Sequence, residues 1–170
     1  MATSWDATGA RRSWTWCQSY VRTYASTPSS PTRRTSPQEG GRGITKESGS
    51  ALLSVVDFLT LGNHAFDADG YEELLEREES VARPANFGEG LPGQGWDIFE
   101  VDGVSIGVTN VLGWVFVEQT PISPFEVADR AVSELEARGA DCVLVDTHAE
   151  ATSEKQALEF HLAGRAQAGV

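Results

Sequence analysis

An α/β layered fold is what this sequence predicts, and three observations carry the prediction. Apolar runs rich in β-branched residues, "VVDFLTLG" and "DCVLVDTH", alternate with stretches of helical periodicity. Two alternating runs in "WDIFEVDGVSIGVTNV" are joined by Asp102-Gly103, a strong two-residue hairpin signal. Both buried runs end in polar clusters, Gly62–His64 and Asp146–Glu150. Open α/β sheets bind ligands beyond the carboxyl ends of their strands, where such clusters converge.

Taken in order, "GITKESGSALLS" reads as a short helix with Thr45 as its N-cap. "VVDFLTLG" follows as a buried strand and "GNHAFDADG" as its exit loop, with Gly62 giving the backbone freedom for a sharp turn. The segment Tyr71–Glu79, "YEELLEREE", places Leu74 and Leu75 on one face and acids on the other, the pattern of an amphipathic helix. "GEGLPGQG" at Gly88–Gly95 is a turn-forming loop, and the hairpin comes next. In "SPFEVADRAVSELEARG" Phe125, Ala128, Val132 and Leu135 recur at helical spacing, and Gly139 stands where a helix-ending glycine belongs. "DCVLVDTH" is a second buried strand, and "TSEKQALEFHLAG" a last helix capped by Thr152 or Ser153. No internal repeat is visible.

At 170 residues, with 40% hydrophobic and 22% charged residues, the chain has the size and balance of one soluble domain. A net charge of −12 argues against duplex nucleic acid or an anionic membrane as partner, since both call for a basic surface. It leaves room for a small phosphorylated substrate. The most apolar window, Val104–Val117, is interrupted by Ser105, Thr109, Asn110 and glycines, so no membrane span is expected. The two cysteines, Cys17 and Cys142, form no CxxC pair, and reduced thiols in a cytoplasmic setting are the expectation.

The first 40 residues have a different composition. They carry a charge of +3 against −15 for the remainder, with 14 Ser or Thr and no Leu, Ile or Phe. Such a segment lacks the apolar content to order itself, so residues 1–40 are set apart from a domain at 41–170.

At the strand ends, His148 and Asn63 are reasonable ligands for a divalent metal, through imidazole nitrogen and amide oxygen. His64 beside them could act as an acid or an electrostatic stabiliser. Other chemistries fail on spacing. "HAE" matches half of a zinc deaminase motif, but the Pro-Cys-x-x-Cys half is absent. No G-x-S-x-G elbow supports a serine hydrolase, and the Gly-rich loop lacks the Lys-Ser/Thr of a phosphate loop.

Four stretches together, "TLGNHAFD", "RPANFGEGLPGQG", "SPFEVAD" and "HAEATSEKQAL", resemble the YmdB-type metallophosphoesterases in order and spacing, from about Gly41 to Val170. That family is calcineurin-like and acts as 2′,3′-cyclic-nucleotide 2′-phosphodiesterases. The resemblance implies a four-layer α/β/β/α sandwich, here incomplete, with two metal ions, iron or manganese. It implies that Asn63 and His148 ligate metal and that His64 is catalytic, aiding phosphate binding or leaving-group departure. Arg83, Asn86 and Glu150 would bind substrate or shape its pocket. The implied partner is a small cyclic nucleotide, with a homo-oligomer admitted.

The family's Gly-Asp-Val and Asn-x-Glu-Asn motifs, which supply further ligands, have no counterpart before Gly41, and its Gly-Thr-His-Thr-His segment has none in the chain. Read one base out of frame with GC-rich codons, however, "MATSWDATGAR" yields G-D-V-V-G-R-D-G-R-A and "PTRRTSPQEG" yields N-A-E-N-V-A. A shifted reading frame is therefore the expected origin of residues 1–40. The chain as written is expected to be short of two sheet strands, to leave apolar edges unpaired and to turn over no substrate. A second expectation, from another class, is a non-catalytic remnant that binds a partner through the acidic helices Tyr71–Glu79 and Phe125–Arg138.

Overall fold

The computed structural model describes residues 23–26, 43–118 and 122–169. Two sheets are present. In the first, β1 (Thr23–Ser26), β2 (Phe58–Leu61) and β3 (Val81–Ala82) run parallel, with β2 in the centre. In the second, β4 (Trp96–Val101) pairs antiparallel with β5 (Val104–Leu112), and β6 (Cys142–His148) and β7 (Gln167–Gly169) add on in parallel. The helices are α1 (Lys46–Leu53), α2 (Tyr71–Arg77), α3 (Pro124–Ala137) and α4 (Thr152–His161), with a 3₁₀ turn at Ala85–Phe87.

Three apolar clusters identify four layers. Leu59 and Leu61 of β2 pack on Leu74 and Leu75 of α2, forming one outer interface. Val143 and Val145 of β6 pack with Val132 and Leu135 of α3 and Leu158 of α4, forming the other. Between the sheets lie Phe58, Ile106 and Val108, with Phe99 and Leu144 against them. Side chains alternate along each strand, so one face of each sheet meets helices and the other meets the second sheet. The Phe58 and Phe99 rings stack across this inner layer with centroids 5.3 Å apart. The expected four-layer α/β/β/α sandwich, in incomplete form, is the observed architecture.

Local chemistry explains most boundaries. Thr45 caps α1 in a reciprocal box with Ser48, as expected. The hairpin turns through Asp102 (φ 51°) and Gly103 (φ 76°), the left-handed pair that a two-residue turn requires. Gly139 ends α3 at φ 90°. Leu74 and Leu75 are buried as their spacing implied. In the expected strand "VVDFLTLG" only Phe58–Leu61 is extended, because the amides of Val55 and Val56 both bond back to Leu52 O in the turn after α1. Helix α4 is N-capped by Ala151, which offers no side-chain bond, in place of Thr152 or Ser153, and Glu154, at the position that completes a capping box, points elsewhere. Strands β3 and β7, only two and three residues long, are too short for a sequence pattern to announce them.

Of the first 40 residues the structure describes only β1, a strand made by backbone pairing with β2 where no strand pattern exists. With β1 on one side and β3 on the other, β2 is paired along both edges, against the expectation of bare edges. The shifted-frame reading otherwise lies outside the described residues. Cys142 is disulfide-bonded, contrary to the expectation of reduced thiols, and its partner lies outside the described residues. Among the described residues no helix is long and apolar enough to cross a membrane.

Replacing Phe58 by Ala should remove the ring that joins the two sheets and lower unfolding free energy by about 3–5 kcal/mol. Urea denaturation followed by circular dichroism measures it; a loss near zero would show that the inner layer does not depend on this contact.

Candidate functional site

The polar ends of β2 and β6 meet across the inner layer. Chain leaving β2 passes through Gly62, and an ideal Cβ placed there would lie 2.7 Å from Cε1 and 3.0 Å from Nε2 of His148. The imidazole therefore occupies the space that a side chain at 62 would need. Conformational freedom in a sharp turn is the expected reason for a glycine here, yet Gly62 is not among the glycines with positive φ. Its reason is close approach. One residue on, Asn63 Oδ1 stands 3.2 Å from His148 Nε2. The predicted metal-ligating pair is thus assembled from two sheets and from residues 85 positions apart.

Burial pushes the His148 imidazole below its usual range, the Asp146 and Glu150 carboxylates pull it up, and Lys155 and His64 push it further down. A downward shift leaves the ring neutral at pH 7, with a nitrogen lone pair available. An imidazole nitrogen and an amide oxygen are borderline-hard donors that suit a divalent transition ion. Neighbouring ligands at ~2.1 Å from one ion stand about 3 Å apart, close to the observed separation. The pair fits as two ligands of a metal ion. Among the described residues no cluster of three or more His, Cys, Asp and Glu adds to it.

His64 follows directly and turns back, with Asp67 N donating to His64 O and His64 Nδ1 bonded to Asp67 Oδ2 at 2.7 Å. That bond orients the ring, leaving Nε2 without a further bond among the described residues. Glu150 is exposed at the start of the loop between β6 and α4. Its charge reaches His148.

Arg83 and Asn86 are used differently. Arg83 is buried, and its guanidinium donates to Pro92 O, Pro84 O and Gly88 O at 3.0–3.1 Å, bracing the loop Pro84–Gln94. Asn86 is fully buried; its Nδ2 donates to Leu112 O at 2.7 Å and its Oδ1 accepts from Leu112 N at 2.9 Å. Strand β4 stops pairing with β5 at Thr109, so this amide takes the place of a strand partner at Leu112. Leu112 in turn is in register with His148. Both residues reach the site through backbone, and the structure brings neither side chain onto the Asn63–His148 pair.

Several residues that matter here are not singled out by the sequence. Asp146 Oδ2 accepts from Thr60 Oγ1 at 2.7 Å and from Asn110 Nδ2 at 2.8 Å. Asn110 is 1% exposed, and its Oδ1 has no partner among the described residues. A donation to a charged acceptor, worth about 1.5–3 kcal/mol, is of the size needed to offset such an orphan. Glu154, also buried, accepts from the backbone N–H of Trp114 (2.7 Å) and Val115 (3.2 Å), anchoring the loop that follows β5. The sequence signal for Asp146 is its position two residues before His148, which puts both on one face of β6.

The same combination of motifs and fold is found in known proteins. The family described as "YmdB-like protein" matches residues 35–170. The chain belongs to the YmdB-like family. A 2′,3′-cyclic-nucleotide 2′-phosphodiesterase of Bacillus subtilis (strain 168) is 37% identical over 131 residues, 76% of this chain and 49% of its own length. A crystal structure of a hypothetical protein from Thermus thermophilus is 43% identical, with a TM-score of 0.67 over 73% of this chain and 48% of that one. A novel phosphatase from Mycoplasma pneumoniae is 28% identical with a TM-score of 0.62, covering 74% of this chain and 46% of its own. The chain thus spans about half the length of the relatives it matches.

Asn86→Ala should unpair the buried Leu112 N–H and C=O and cost about 2–4 kcal/mol of stability. Unchanged urea midpoints would show that Asn86 is not part of the scaffold. Gly62→Ala should cost about 1–3 kcal/mol by forcing the imidazole aside. A His148 ring signal unmoved in the NMR spectrum of that variant would contradict the close approach described.

Proposed function

We propose that the chain is part of a metal-dependent phosphodiesterase acting on 2′,3′-cyclic nucleotides or related phosphate esters. One observation carries this reading. Asn63 and His148, from two separate sheets, meet at 3.2 Å beyond the carboxyl ends of their strands. The name of the Bacillus subtilis relative supports the substrate class.

In this reading Asn63 Oδ1 and His148 Nε2 hold a divalent metal, iron or manganese, and the remaining ligands come from outside the described residues. When bound, the metal supplies charge neutralisation for phosphoryl oxygens and a more acidic water. The chain's own contribution is positional. The Asp67 carboxylate holds His64 through Nδ1 at 2.7 Å, so Nε2 is the atom that meets a phosphate oxygen or protonates a leaving alkoxide. Glu150, exposed in the loop after β6, would bind substrate at the rim of the site. Arg83 and Asn86 shape the pocket by holding its loop and the end of β5.

The partner-binding alternative has no specific observation in its favour. Glu72 and Glu76 of α2 and Glu126, Glu134 and Glu136 of α3 are exposed, which is the ordinary solvated face of an amphipathic helix, and other acids there are paired. Glu73 of α2 is paired with Lys46 at 2.7 Å and with Arg77 at 3.0 Å. On α3 Arg138 is paired with Asp97, and Asp129 with His161 and Arg165.

The test is hydrolysis of 2′,3′-cyclic AMP with Mn²⁺ by two proteins: the 170-residue chain, and a chain of the relatives' length carrying residues 1–40 in the alternate frame. Turnover is expected only from the second, falling about 10²-fold or more in its His64→Ala variant. No turnover by either protein would overturn the proposal; metal-dependent turnover by the first would overturn the need for ligands beyond Asn63 and His148.

A further inference from the structure

The two sheets touch through apolar rings at one end and through polar side chains at the other. Phe58, Thr60 and Gly62 lie on one face of the β2 chain, and Leu144, Asp146 and His148 on one face of β6, by alternation. Phe58 belongs to the apolar inner cluster and Leu144 packs against it. Gly62 lies under the His148 ring. Between these contacts stands Asp146, whose Oδ2 accepts from Thr60 Oγ1 in the first sheet at 2.7 Å. The same oxygen accepts at 2.8 Å from Asn110 Nδ2, the residue opposite it in register on β5.

We infer that Asp146 is a positioning residue, whose carboxylate ties β2 to β5 and β6 one step behind Asn63 and His148 and fixes the spacing of that pair. The geometry leaves little alternative use for the oxygen. Two donors from different strands converge on it, and one of them, Asn110, does so while its own buried Oδ1 stays unpaired among the described residues. Thr60 is three residues before Asn63, and Asp146 is two before His148. A shift of β2 against β6 would therefore separate the pair directly, because a few residues of extended chain connect each tie to each ligand. The inference rests on the proposed reading of Asn63 and His148 as metal ligands.

The test uses the chain of the relatives' length that carries residues 1–40 in the alternate frame, and Mn²⁺ alone, with free ion followed by electron paramagnetic resonance and folding by thermal melts. Saturable binding by the wild type, abolished in His148→Ala, is expected; its absence would overturn the metal reading and the inference with it. Against that reference, Asp146→Ala should weaken Mn²⁺ affinity by about tenfold or more, the scale of losses at groups that orient metal ligands. Asp146→Asn keeps an oxygen that can accept both donors and should restore affinity to within about threefold of wild type. A merely structural role would lower the melting temperature while leaving the affinity of the folded protein unchanged, and that result overturns the proposal. Equal losses in Asn and Ala variants would also overturn it, by showing that charge matters rather than placement. If Asp146→Ala does not fold, Thr60→Val decides, since it removes one donor and keeps the carboxylate; unchanged affinity there sinks the inference.

Discussion

The contact on which the site depends is an aromatic ring lying where a side chain would otherwise be. His148 can reach across from the second sheet only because position 62 has no Cβ, which would stand 2.7 Å from the ring. Asn63 is then the next residue along, and its amide oxygen meets the imidazole at 3.2 Å. The order Gly-Asn-His is thus a packing solution before it is a chemical one. Glycine admits the opposing ring, asparagine faces it, and His64 turns out of the layer toward Asp67. Any larger residue at 62 would separate the strands where their polar ends need to converge.

Along the inner layer polarity rises toward that end. Stacked Phe58 and Phe99, with Ile106 and Val108, give a dry contact at the start of β2. Thr60, Asn110 and Asp146 follow, then Gly62 with His148. A partly buried carboxylate is expensive to desolvate unless hydrogen bonds replace its water. Here one oxygen receives two, at 2.7 and 2.8 Å. Apolar packing sets the sheets together and hydrogen bonding sets their register. The mixture explains how a layer with an apolar start can end in a polar pair held by both sheets.

Much of this is legible in the sequence, and the failures have physical causes. Helix α3 and the hairpin at Asp102-Gly103 announce themselves because periodicity and turn chemistry agree. The start of β2 is misread because Val55 and Val56 have strand propensity but are captured by the turn after α1, leaving Val55 64% exposed. Strand β1 has no sequence pattern to find, since its order comes from backbone pairing with β2. Asn63 and His148 can be chosen from their places at strand ends, and the structure brings them together. The tie through Thr60, Asn110 and Asp146 cannot be, because it spans three strands and depends on which faces oppose.

Arg83, Asn86 and Glu154 show how a ligand can be told from a scaffold. All three are buried polar residues in or beside the loops of the site, and each satisfies backbone groups that no strand partner reaches. Loops at strand ends carry many such orphan N–H and C=O groups, and each must find a partner once water is excluded. A sequence motif rich in polar residues at strand ends therefore mixes two populations. The discriminating quantity is what remains uncommitted. Asn86 has its amide nitrogen and oxygen both bonded to Leu112, whereas the His148 ring, among the described residues, bonds to Asn63 alone. Among the described residues His64 Nε2 has no bond, and Glu150 is exposed. Side chains whose hydrogen-bonding capacity is spent on backbone act as scaffold, which is how Arg83, Asn86 and Glu154 are used; Asn63 and His148 differ in that they bond to each other across two sheets rather than to backbone.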